Sequence, residues 1–69
     1  MNKYYLGSWY IAPPWWKNFY YHAQTRCKYK PSIPDLNKVL KESWNMRVHE
    51  SWLEYAHEDD LAAFILTYS

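Results

Sequence analysis

The chain has 69 residues, including five Trp, eight Tyr and two Phe, with a formal net charge of +1. That length gives a single domain over residues 1–69 that buries only about 60% of its unfolded surface, so large side chains or a partner must supply the stability that small scaffolds usually take from disulfides or metal. A lone cysteine, Cys27, excludes an intrachain disulfide, three His with one Cys fit no zinc spacing, and no run reaches the roughly 20 apolar residues of a membrane span.

The predicted elements begin with a strand over Tyr4–Ala12. Tyr4, Leu6, Ser8, Tyr10 and Ala12 share one face of an extended chain, and Tyr5, Gly7, Trp9 and Ile11 the other. Gly7 marks a bulge or close backbone approach. Pro13-Pro14 ends that strand and sets Trp15-Trp16 on a stiff corner. Phe19-Tyr20-Tyr21-His22 is compatible with one helical turn or a second strand running weakly toward Tyr29, and its β-propensity favours the strand. Ser32-Ile33-Pro34-Asp35 is a capping box with proline in the first turn. Ile33, Leu36, Val39, Leu40 and Trp44 follow at helical spacing and predict an amphipathic helix from Ile33 to about Ser43.

From Trp44 the period becomes two. Met46, Val48, Glu50 and Trp52 oppose Arg47, His49, Ser51 and Leu53, predicting a strand to about Tyr55. His57-Glu58-Asp59-Asp60 breaks it and opens a short helical turn. Phe64, Leu66 and Tyr68 then alternate with Ile65 and Thr67 as a closing strand. The expected fold is α+β, β-(β)-α-β-β, with one amphipathic helix on a small three- or four-stranded, mainly antiparallel sheet. The core candidates are Leu6, Tyr10, Phe19, Ile33, Leu36, Val39, Leu40, Trp44, Met46, Val48, Phe64 and Leu66.

No constellation here calls for catalysis, a metal or a cofactor. Cys27 has cationic neighbours and His22 five residues earlier, but no oxyanion-forming glycine turn accompanies them. His49 and His57 with Glu50 or Glu54 make a weak metal set, because His49 and Glu50 point to opposite faces of a strand. The charge is divided instead. Residues 1–31 hold Lys3, Lys17, Arg26, Lys28 and Lys30 and no acid, and residues 32–69 hold seven acids against three cations. More large aromatics are present than one helix and a short sheet can cover. Trp, Tyr and Arg dominate binding hot spots, so Trp15, Trp16, Tyr20 and Tyr21, with Lys17 and Arg26 at the rim, are the candidate partner-binding residues. Glu50, Glu54, Glu58, Asp59 and Asp60 form a possible acidic patch able to imitate a run of phosphates.

The segment Glu54-Tyr55-Ala56-His57-Glu58-Asp59-Asp60-Leu61-Ala62-Ala63-Phe64-Ile65-Leu66-Thr67-Tyr68 resembles the ends of small α+β proteins encoded by tailed bacteriophages, in which a strand meets an acidic turn and then another strand. The resemblance implies a small accessory or host-directed protein with no family active site. The expectation is a non-enzymatic, cytoplasmic interaction protein that binds and modulates a bacterial host protein such as a polymerase, nuclease or defence complex. The alternative is single-stranded nucleic-acid binding by the basic, aromatic N-terminal half. A homo-oligomer closed by the surplus tryptophans is a third use for them.

Overall fold

The capping box at Ser32 forms as the sequence predicts. The computed structural model describes residues 2–69. In it the Ser32 backbone N–H and hydroxyl both donate to Asp35 Oδ2, at 3.0 and 2.9 Å, and Pro34 sits in the first turn where no amide is needed. This starts the helix spanning Ile33–Trp44, which buries Leu36, Val39 and Leu40 and ends at Asn45 in the left-handed conformation. Asn and Gly are the residues that tolerate that position.

In chain order the elements are β1 (Asn2–Tyr5), α1 (Pro14–Cys27), α2 (Ile33–Trp44), β2 (Met46–His49), β3 (Trp52–Tyr55) and α3 (Glu58–Tyr68). The sheet is antiparallel with the order β1-β3-β2. The class is therefore α+β, but with three helices rather than one.

Four expectations are corrected. The first strand stops at Tyr5 instead of Ala12. Leu6 makes a last bond from its N–H to the Ser51 carbonyl at 2.7 Å. Gly7 then turns at φ 73, where a Cβ would meet Ile11 Cδ1 at 2.5 Å, and the Ser8 carbonyl accepts from Ile11 and Ala12 in a tight turn. Second, residues 19–22 belong to a helix. Pro13-Pro14 opens α1 instead of merely closing a strand: Pro13 is its N-cap and Pro14 its first residue. Trp15, Phe19 and Ala23 recur every fourth residue, and all three are buried with Trp16. Third, the predicted strand to Tyr55 is a hairpin of two four-residue strands, folded back at Glu50, which adopts φ 56, and Ser51. Fourth, the tail is helix. Glu58, Asp59 and Asp60 occupy the first turn of α3, where the dipole favours acids, and Leu61, Phe64, Ile65 and Tyr68 form its apolar stripe. Their alternation also fits a strand, an ambiguity inherent in short apolar runs.

α2 and α3 pack on one face of the sheet, and α1 packs on both of them. Phe64, with no exposed surface, is the hub of the core: its ring meets those of Trp15, Trp16, Phe19, Trp44 and Tyr68 at centroid separations of 4.9 to 6.4 Å. Met46, Val48, Leu53 and Tyr55 close this core from the sheet. Of the core candidates, Tyr10, Ile33 and Leu66 lie exposed instead, and Trp44 is half-buried. Two asparagines tie the layers. Asn37 of α2 donates to the Val48 carbonyl at 3.0 Å and accepts from its N–H at 2.6 Å, pairing the free edge of β2. Asn18 of α1 donates to the Tyr68 carbonyl at 2.6 Å, at the end of α3.

Candidate functional site

Burying Trp15 and Trp16 removes them as exposed anchors. They retain 9% and 7% of their accessible surface, because both project from the first turn of α1 into the core instead of standing on a corner. Among the predicted partner-binding residues, Tyr20 and Tyr21 keep a surface position. They line an open groove of about 560 Å³ whose other walls are Trp9, Lys30, Pro31, Ser32, Ile33 and Leu36. Arg26 is exposed in the last turn of α1.

The groove is assembled by three local devices. The turn at Ser8 swings Trp9 against α1, where it meets Tyr20 at 5.0 Å and Tyr21 at 6.0 Å, both edge-on. Lys17, four residues before Tyr21, lays its ammonium 5.7 Å from the centre of the Trp9 ring. The capping box then sets Ile33 at the start of α2, so its side chain projects past the core into the groove. Tyr10 and Ile11 follow Trp9 on the turn and are 89% and 68% exposed. Asp35 stands beside the groove but is engaged. Hydrogen bonds from the Ser32 backbone and hydroxyl hold its carboxyl below the usual range, and the Tyr29 hydroxyl donates to its Oδ1 at 3.2 Å. The Asp35 charge in turn raises the Tyr29 phenol. The groove thus offers a partner rings, aliphatic carbon and the Lys30 cation.

A second aromatic surface lies on the sheet. Register places Tyr5, Trp52 and His49 in one row across the three strands, and Lys3, Glu54 and Arg47 in the next. These six alternate with the core-facing residues and point away from the helices. Tyr5 and Trp52 pack at a ring separation of 4.8 Å and remain 56% and 39% exposed.

The five acids do not form one patch. Glu54 is 7% exposed, with Arg47 Nη2 at 2.6 Å and Nε at 3.1 Å from its Oε1. These hydrogen bonds hold its carboxyl below the usual range, aided by the charges of Arg47, Lys3 and His49. Glu50 sits in the hairpin turn, and Glu58, Asp59 and Asp60 serve the α3 N-terminus. Among the described residues, no three of His, Cys, Asp and Glu stand close enough to hold a metal. No helix among them is long and apolar enough to cross a membrane. His22 and Cys27, five residues apart on α1, are turned about 140° from one another, and His22 packs on Tyr68 instead.

Of the lining, only Tyr20 and Tyr21 are legible as site residues from the sequence; Trp9, Lys30, Pro31, Ser32, Ile33 and Leu36 are not singled out there. Ile33 was findable, since the first residue of a capped helix often lies beyond the stripe that faces the core. Trp9 was not, because its place depends on a turn that the alternating pattern disguises. Compared with protein-family models, with curated proteins and with solved structures, the chain has no match.

Proposed function

We propose that the chain is a non-enzymatic interaction protein whose Trp9–Tyr21–Ile33 groove receives a segment of a partner protein. The carrying observation is the groove itself: a hollow lined by aromatic and aliphatic side chains, with the exposed Tyr10 and Ile11 following its wall residue Trp9 in the chain. Apolar surface grouped in this way on a small protein marks an interaction site. The chain around it, residues 1–31, carries only cations, and the neighbouring Asp35 is consumed by the helix cap. The complementary occupant is an apolar segment flanked by acids, with Tyr20 and Tyr21 as anchors and Lys17 and Lys30 at the rim, while Arg26, five residues beyond Tyr21 on α1, is turned away from the groove. The partner class, a bacterial host protein such as a polymerase, nuclease or defence complex, rests on the resemblance of the tail sequence alone, and that tail folds as strand, acidic turn and helix instead of the strand, turn and strand of the resemblance.

The test uses capture from a bacterial lysate by wild type and by a Tyr21→Ala/Ile33→Ser variant, both checked for folding by circular dichroism. A photo-crosslinking residue at position 10 identifies what is bound. The variant is expected to lose the crosslinked partner at least tenfold. Equal capture by a folded variant would sink the groove as the site.

A further inference from the structure

We propose that the open face of the sheet binds single-stranded nucleic acid, with bases stacking on Tyr5 and Trp52 and phosphates meeting Lys3 and Arg47. The face presents two ladders. One is made of rings, Tyr5–Trp52–His49, and the other is charged, Lys3–Glu54–Arg47. The ladders stand about 7 Å apart along the strands, comparable to the reach from a base to its own phosphate. Within the charged ladder, Lys3 and Arg47 flank the central strand at roughly 10 Å from each other, two strand spacings.

Charge selects the occupant. Glu54, the one acid on these ladders, is covered by Arg47 and engages its Nε and Nη2, so Lys3, Arg47 and Glu54 together leave one net positive charge beside the rings. The depressed Glu54 carboxyl reflects the same two groups, the Arg47 hydrogen bonds first and then the charges of Arg47 and Lys3. Glu50 stands in the turn beyond the ring ladder. It directs a polyanion toward the Lys3–Arg47 end and away from the hairpin tip. A polyanion bearing flat apolar groups satisfies both ladders, whereas an acidic peptide uses only one. Base–aromatic stacking tolerates any sequence, because every base has a ring face. This surface is separate from the groove, and nothing in the groove reading depends on it.

The experiment is fluorescence anisotropy of a labelled short oligothymidylate with the full chain over a salt series. Affinity is expected to fall as salt rises, and Lys3→Glu is expected to make the log–log slope shallower by roughly 0.7. Trp52→Leu, which keeps an apolar strand residue, is expected to weaken binding about tenfold or more. Tyr5→Thr does the same from the neighbouring strand and serves if Trp52→Leu does not fold. Tyr21→Ala, in the groove, leaves binding unchanged. The proposal is overturned by no binding at low salt, by wild-type affinity in both ring variants, or by polyglutamate competing as well as oligothymidylate. Sedimentation showing a dimer that Trp52→Leu dissociates would also overturn it, since a second copy then covers the face.

Discussion

Two sets of aromatic rings, alike in chemistry, occupy opposite roles. Trp15, Trp16, Phe19, Phe64 and Tyr68 interlock between α1 and α3, while Trp9 pairs with Tyr21 and Tyr5 with Trp52 at the surface, each 39% to 56% exposed. The inner set repeats every three or four residues along helices that face each other, so each ring finds several neighbours. The outer set comes from a turn, the strand faces and the outer side of α1, where no further layer covers it. What separates core from interaction surface here is the existence of a second layer, since ring size and hydrophobicity are the same in both.

The comparison breaks most visibly at its hub. Phe64→Ala empties the position where five rings converge and is expected to cost about 3–5 kcal/mol. That is a large share of the stability of so small a domain, and urea denaturation reads it. Trp52→Leu on the outer face should shift the midpoint far less. If the two losses are equal, the distinction between inner and outer rings fails.

A smaller effect tests how the core-facing sheet is sealed. Asn37→Ala removes both bonds to Val48 and is expected to cost about 1–3 kcal/mol, since two backbone groups lose their partner. Because it leaves the β2 edge unpaired, concentration-dependent association should rise alongside.

The smallest effect concerns the outer face. The Glu54 carboxyl titrates below its ordinary value near 4.5, so its contribution is complete above that value and is lost as pH falls through the folded one. Denaturation midpoints should therefore fall on acidification below about pH 4.5. Asp35, lowered by its cap bonds, adds to the same trend. Glu54→Gln should flatten the profile. An unchanged profile would mean that the Arg47–Glu54 pair is not closed in solution.

Much of the outer site was legible only in pieces. The cations and rings of both surfaces can be counted in the sequence, but its alternation puts Trp52 on the face of Met46 and Val48, and only the hairpin turns it to the opposite one. The partnership of Trp52 with Tyr5 could not be read, because the two are 47 positions apart in the chain. In the sequence Pro13-Pro14 reads as a strand terminator, which sets Trp15 and Trp16 on a surface corner. A proline pair also serves as a helix start, and the 15–19–23 spacing carried that signal. The tail failed for a related reason, since Phe64, Leu66 and Tyr68 fit a strand and Leu61, Phe64 and Tyr68 fit a helix equally well.

By itself, then, the sequence determined what short-range chemistry determines. The Ser32–Asp35 box sets α2, the alternation at Met46–Val48 sets β2, and the acid-free first half is a matter of composition. Tertiary structure decided which aromatics are core. Burial depends on which surfaces meet, and the meeting of α1 with α3 around Phe64 brings together residues about 45 positions apart. It likewise decided that β1 pairs with β3, which leaves Tyr5 beside Trp52 on the face that the helices do not reach.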